Sequence, residues 1–135
     1  MRDQLTYDYA IIRVVPKVER EEFINVGAIV SCPAMGFLEA RIELDEGRLM
    51  ALDSTLDIDS IRTHLEAIPA ICAGGEPAGQ MGQLSQRERF HWLVAPRSTV
   101  IQTSPVHTGS CKDPAAVLEH LLSTMVRPFS PGIAP

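Results

Sequence analysis

Three consecutive segments in the first third of the chain have the residue patterns of β-strands, and short links join them. Residues 7–15 are rich in aromatic and β-branched side chains and end before Pro16, and residues 23–30 have one fully apolar face and a second face that includes Asn25 and Gly27. Residues 38–44 alternate apolar with charged side chains, a pattern typical of a strand with one buried face. Because the links are short, the three strands are predicted to form an antiparallel meander.

Two later segments have apolar residues at helical spacing. The first begins behind Asp57, whose carboxylate can accept the first free amide hydrogens, and it ends at the glycines after Ala73. Its apolar positions are Ile58, Ile61, Leu65 and Ile68. The second begins at Asp113 and Pro114 and runs to about Val126. Its apolar stripe consists of Val117, Leu118, Leu121, Leu122 and Met125.

The remaining segments have less regular patterns. Residues 48–52 predict a short helical turn, and residues 76–89, which contain proline and glycine but few large apolar groups, predict a long mobile loop. Residues 90–94 and 100–103 return to strand composition. They predict a hairpin or two successive strands on either side of a turn at residues 95–99.

The order of strands, helix, strands and helix favours an α+β fold over regular alternation. We predict a small antiparallel or mixed sheet of about five strands, covered by two main helices. A chain of 135 residues lies near the commonest size of a single domain. We therefore predict one domain over residues 1–127 and a frayed, proline-rich tail over residues 128–135.

Composition narrows the classes of function and the compartment. The chain has 17 acidic and 12 basic residues and a net charge of -5, which disfavours binding to nucleic acids or to membrane surfaces. Residues 1–6 are polar and charged, so we expect no signal peptide, and no apolar run approaches the roughly 20 residues that span a bilayer. Cys32, Cys72 and Cys111 are odd in number, far apart in sequence and without a CxxC spacing, which argues against a disulfide framework and a thiolate metal site. We expect reduced thiols and a cytoplasmic location.

Several runs of sequence together resemble one bacterial family. They are YAIIRVVP at residues 9–16, EFINVGAIV at residues 22–30 and RFHWLVAPRSTVIQ at residues 89–102, followed by a final helix that begins with aspartate and proline. Across residues 7–126 the chain resembles the family catalogued as domain of unknown function 3037. The resemblance implies no established reaction or ligand. Genes of this family often lie beside genes for small kinases similar to the HipA family, which implies a protein partner or a regulatory role.

The turn at Arg97, Ser98 and Thr99 is one candidate ligand site. A guanidinium and two hydroxyls beside free backbone amides can hold a phosphate or a carboxylate. In the alternative, the hydroxyls bond to their own backbone and Arg97 pairs with a surface carboxylate. His107 could add a polar group to the same rim, or it could belong to a loop, residues 107–109, that leads to the last helix.

Arg13 and Asn25 are the second candidate site. Asn25 and Gly27 lie within a strand pattern, where such residues mark a bulge or the close approach of another backbone or of a ligand. With Arg13 on the neighbouring strand, they could line a polar pocket on one face of the sheet. In the alternative, Asn25 bonds locally and Gly27 makes room for a covering helix.

No strong catalytic signature is present, so the sequence leaves enzymatic activity open. Cys111 and His107 could form a nucleophile and base, but no third member can be named. The histidines lack the paired spacing of a zinc site, and we expect neither a metal nor a cofactor. The sequence favours an interaction or regulatory module, which could bind a HipA-like kinase. The alternative is a small enzyme or anion-binding protein acting on a phosphorylated small molecule or nucleotide.

Overall fold

Five antiparallel strands form one open sheet in the computed structural model, which describes residues 4–128. The strands are β1 (Leu5–Val14), β2 (Ile24–Cys32), β3 (Phe37–Ile42), β4 (Ile101–Thr103) and β5 (His107–Cys111). The order across the sheet is β3, β2 and β1, and β4 and β5 then lie end to end along the other edge of β1. The predicted meander of the first three strands is confirmed. Of the predicted tail, only Pro128 lies within the described residues.

The helices begin at capping side chains that the sequence supplies. They are α1 (Glu46–Leu52), α2 (Ile58–Ala73), α3 (Gln86–Leu93) and α4 (Pro114–Leu121), and a π-helical segment, Leu122–Val126, extends α4. Short 3₁₀ segments lie at Val18–Arg20, Pro33–Met35 and Glu76–Gln83. The carboxylates of Asp45, Asp57 and Asp113 each accept a backbone amide hydrogen of the first turn. Within residues 4–128, no helix is long and apolar enough to cross a membrane.

Helices pack on both faces of the antiparallel sheet, so the predicted α+β architecture is confirmed. On the first face, Ile12 and Val14 of β1 pack with Leu49 of α1, Leu65 of α2 and Phe90 of α3. On the second face, the buried cluster contains Ile11, Ala28, Val30, Leu118, Leu121, Leu122 and Val126. Here α4 and its π-helical extension pack mainly on β2 and β3. The second face is therefore covered on one side and more open over β1 and β5.

The predicted strand at residues 90–94 is wrong, because most of it lies in α3. A capping box starts this helix: the Ser85 hydroxyl accepts from the Glu88 amide at 3.1 Å, and the Glu88 carboxylate accepts from the Ser85 amide at 3.0 Å. Phe90 and Leu93, three positions apart, then face the core together. The short apolar run was ambiguous between strand and helix, and the capping pair decides it.

The predicted loop at residues 76–89 and the loop alternative for residues 107–109 are also wrong in secondary structure. The first contains the 3₁₀ segment Glu76–Gln83 and the first turn of α3. The second belongs to β5, which pairs with β1 from Leu5 to Tyr9. Most of β5 is polar and exposed at the edge of the sheet, so its sequence lacks the apolar alternation that reveals a strand.

Candidate functional site

A β-bulge brings two of the predicted site residues together. Ile12 lies opposite Gly27 and Arg13 lies opposite Asn25, so Val26 is an extra residue in β2. The predicted bulge is thus confirmed. A Cβ at Gly27 would lie 2.5 Å from the backbone oxygen of Arg41, so the glycine admits the neighbouring strand and not a helix.

Arg13 is a partly buried cation without a partner. Its guanidinium carbon lies 4.0 Å from the centre of the Phe23 ring, in a cation–π contact. Its Nε is buried and has no hydrogen-bond partner. Within residues 4–128 its side chain makes neither an ion pair nor a hydrogen bond. Burial therefore lowers the pKa of Arg13 from its ordinary value, since nothing compensates for the lost hydration.

Most of the other arginines within residues 4–128 differ from Arg13. The following seven donate to carboxylates or to backbone carbonyls: Arg20, Arg41, Arg48, Arg62, Arg89, Arg97 and Arg127. Arg87, like Arg13, lacks such a bond within the described part, but it is exposed on α3. Arg13 is partly buried and has no hydrogen-bond partner among the described residues. Such desolvation of a charged group costs free energy, so a functional role is the natural explanation for it.

Asn25 ties this point of the sheet to the end of the last helix. Its Nδ2 donates to the backbone oxygen of Met125 at 2.9 Å, while its buried Oδ1 has no partner. Met125 lies in the π-helical segment, and such segments often occur at functional sites. Its side chain is 44% exposed, as is that of Phe23. An exposed apolar ring therefore lies against Arg13, and Asn25 bonds to the backbone of a residue whose apolar side chain is also exposed.

An aromatic row continues from Arg13 along the same face of β1. Tyr9 lies with its ring centre 5.3 Å from that of His107 and 6.1 Å from that of Tyr7. A Cβ at Gly109 would lie 2.7 Å from the Tyr7 hydroxyl oxygen, so this glycine makes room for the ring. Burial raises the pKa of Tyr7, and its neighbours Cys111 and Tyr9 raise it further. We call this surface the open face: Tyr7, Tyr9, Arg13, Phe23, Asn25, His107 and Met125.

The remaining predicted residues lie elsewhere. Arg97 donates to the backbone oxygens of Trp92 at 2.6 Å and Leu93 at 3.1 Å, and it stacks on the Trp92 ring. It therefore binds the carboxyl end of α3. Ser98 is exposed, and the Thr99 hydroxyl donates to the Ile101 oxygen at 2.9 Å. The structure brings Arg13, Asn25 and His107 to one face and leaves the Arg97 turn outside it.

Thr99 does line the most apolar of the larger cavities. This cavity has a volume of about 490 Å³ and lies between the first turns of α2 and β4. Its lining residues are Leu56, Asp57, Ser60, Ile61, His64, Thr99, Val100 and Ile101. It contains neither Arg13 nor Asn25, so the two regions are separate.

Thiol and metal chemistry gain no geometric support in the described part. Burial raises the pKa of Cys72 to about 12 and raises that of Cys111, so both favour the neutral thiol. Cys111 and His107 lie four residues apart on β5, which places their backbones roughly 13 Å from one another. Within residues 4–128, no group of three or more metal-binding side chains is found.

Four members of the open face were not predicted from the sequence: Tyr7, Tyr9, Phe23 and Met125. The alternation of β1 contained a signal, because Tyr7, Tyr9, Ile11 and Arg13 occupy every second position. Their shared face could have been recognised. The approach of Met125 could not, because it depends on how the π-helical segment crosses β2.

Comparison with known proteins gives a family and no function. No curated protein and no solved structure matches this chain. A family model, described as protein of unknown function (DUF3037), matches residues 9–126. This match covers most of the 135 residues and nearly all of the region that the sequence resemblance identified. The chain therefore belongs to the DUF3037 family.

Proposed function

We propose that this protein is an interaction module of the bacterial cytoplasm and that the open face is its docking surface for another protein. The observation that carries the proposal is Arg13, a partly buried guanidinium that has no hydrogen-bond acceptor among residues 4–128, on a face that α4 leaves partly uncovered. In that part of the free protein it contacts the Phe23 ring, which cannot replace the lost acceptors. A partner that supplies acceptors would satisfy it and would exclude water from it.

The composition of the open face supports the same proposal. Tyrosine, phenylalanine, methionine and arginine are enriched at the centres of protein interfaces. Binding energy concentrates on a few such residues, surrounded by contacts that keep water out. Arg13 has part of this setting, with the Phe23 ring against it, Asn25 opposite it on β2, and Tyr9 further along the same face of β1. The resemblance to DUF3037 suggests a HipA-like kinase as the first partner to test.

The alternative, an enzyme or anion-binding protein for a phosphorylated small molecule or nucleotide, has less support. This alternative requires one cleft on which the following side chains converge: Arg13, Asn25, Arg97, Ser98 and His107. Arg97 instead binds backbone oxygens of α3, and Ser98 lies with it. A phosphate site would then depend on a single arginine. Such sites usually combine several donors.

The test is co-purification of the tagged protein with a HipA-like kinase from the same host. Arg13→Ala and Phe23→Ala should each reduce the retained kinase strongly. Two matched variants should retain it: Arg87→Ala removes an exposed arginine of α3, and Met35→Ala removes an apolar side chain that is 55% exposed. Equal retention by all four variants would exclude the open face as the docking surface.

A second arm covers other partners. Proteins that co-purify with the wild type are compared, by quantitative mass spectrometry, with those retained by the same four variants. Support requires one protein that Arg13→Ala and Phe23→Ala lose and that Arg87→Ala and Met35→Ala keep. Binding that is insensitive to all four variants would contradict the proposal.

A further inference from the structure

The free guanidinium of Arg13 also indicates what the partner presents. We infer that Arg13 receives the carboxylate of an acidic side chain that apolar residues flank in a partner polypeptide. This inference rests on the proposed docking surface. It adds the chemistry of the group that binds there.

Geometry favours a planar, singly charged acceptor. The guanidinium carbon of Arg13 lies 4.0 Å from the centre of the Phe23 ring, and the N–H groups of a guanidinium form a fork that matches the two oxygens of a carboxylate. The Phe23 ring, which is 44% exposed, leaves apolar surface beside the fork. In an acidic residue between apolar residues, the carboxylate would accept hydrogen bonds from the guanidinium, and the apolar neighbours would pack on the apolar surface beside it.

Charge decides between a carboxylate and a phosphate. Arg13 is the one arginine of the open face, which contains no lysine, and the whole chain has a net charge of -5. One carboxylate neutralises one guanidinium. A phosphate dianion would leave a negative charge without a partner beside an acidic protein, where desolvation is costly. A phosphorylated side chain is therefore disfavoured.

The test uses random peptides displayed on phage and selected against the wild-type protein, with Phe23→Ala in a parallel selection. Peptides that bind the wild type and not Phe23→Ala occupy the open face. Among these peptides, aspartate or glutamate between apolar residues should be enriched. A synthetic peptide of this group is then titrated beside its versions with glutamine or phosphoserine at the acidic position.

The inference predicts that Arg13→Gln weakens the acidic peptide about 10- to 100-fold, the worth of a charge-assisted hydrogen bond. The glutamine peptide should bind the wild type and Arg13→Gln alike. Heteronuclear NMR should show the Arg13 Nε–H signal moving with the acidic peptide. Arg87→Gln is the matched control and should bind as the wild type does.

Three results would overturn the inference, and they separate it from the proposed function. If the selected peptides require Phe23 but are not enriched in acidic residues, the docking surface is supported and the inference of a carboxylate is rejected. Tighter binding of the phosphoserine peptide would replace the carboxylate with a phosphate. If no selected peptide required Phe23, both the docking surface and the inference would fail.

Discussion

The backbone amide of Ile11 donates a 2.9 Å hydrogen bond to the side-chain oxygen of Ser104, which lies 93 positions away in sequence. The Ser104 amide in turn donates to the Ile11 oxygen at 2.8 Å. Both residues are buried. Pro105, which has no amide hydrogen, interrupts the edge strand here and separates β4 from β5. The serine hydroxyl therefore completes the backbone pairing of β1 where the neighbouring backbone cannot.

Removing this hydroxyl should expose its role. Ser104→Ala leaves the buried Ile11 amide without an acceptor and should lower the free energy of unfolding by about 1–3 kcal/mol. Urea denaturation of the variant and the wild type measures the difference. Ser98→Ala, at an exposed serine, is the control and should change stability by less than about 0.5 kcal/mol. Equal stability of both variants would show that water satisfies Ile11.

The final helix allows a comparison of its cap with its packing. The Asp113 carboxylate accepts from the Ala115 amide at 3.1 Å, and Leu121 is buried against the second face of the sheet. Asp113→Ala should lower stability by about 1 kcal/mol, and Leu121→Ala by about 2–5 kcal/mol through lost burial and a cavity. Denaturant midpoints measure both changes. A larger loss from the cap variant would contradict this order.

Apolar periodicity was sufficient to predict an element where the face that it buries matches the repeat of its backbone. The first three strands, α2 and α4 could be predicted because their apolar periodicity matches the faces that they bury. The polar β5 could not, since its pairing with β1 depends on residues about one hundred positions away. For α3 the signal was present, because Ser85 and Glu88 have the spacing of a capping box.

The site was predictable in part for a similar reason. Arg13 and Asn25 could be placed together because one lies in each of two strands that pair. Arg97 was assigned the wrong neighbours in the sequence analysis, since the strand predicted at residues 90–94 hid the helix end that it binds. An error in one element thus moved a candidate residue away from its actual contacts.

The stability of the protein should fall with acidity partly through Asp53. Hydrogen bonds from the Thr55 side chain and backbone, and then one from Lys17, lower the pKa of Asp53 from 3.8 to about 2. The unfolded chain takes up this proton first, so the contribution is complete above 3.8 and is lost as the pH falls towards about 2. Asp53→Asn should therefore lose less stability than the wild type between about pH 5 and about pH 3.

Thr55→Val separates the causes of this shift. It removes the side-chain donor, which is the largest of them, and keeps the backbone bond and Lys17. Its change in stability between the same two pH values should lie between those of the wild type and Asp53→Asn. Urea midpoints at each pH provide the measurement. Identical pH dependence in all three proteins would mean that Asp53 makes no contribution.

Arg97 should act on the stability of α3. Arg97→Ala removes two donors from carbonyls at the end of α3 and should lower the free energy of unfolding by about 1 kcal/mol. Arg97→Lys should recover part of this loss, because it keeps the charge but not the fork. Trp92 is the one tryptophan, so its fluorescence reports directly on the stacked pair. Unchanged emission and stability in both variants would contradict a structural role for Arg97 and would favour the ligand role that the sequence suggested.

Arg13 and Arg127 should respond in opposite ways to the same substitution. Arg127 donates to Glu43 at 2.7 and 2.8 Å and to Glu119 at 2.6 Å, and it thereby links the end of the last helix to the sheet. Arg127→Met should lower stability slightly, since these pairs are partly exposed and screened by solvent. Arg13 has no such partner and loses hydration on folding.

Arg13→Met should therefore leave the stability unchanged or raise it by about 0.5–1 kcal/mol, because an apolar side chain of similar length removes the desolvation of the charge and keeps the contact with Phe23. Thermal and urea unfolding of Arg13→Met and Arg127→Met measure the contrast. The same Arg13→Met protein should lose binding at the open face. A residue that lowers stability in the free protein and is needed for binding is retained for its partner. If Arg13→Met were as destabilising as Arg127→Met, Arg13 would be a structural residue, and the main support for the docking surface would be lost.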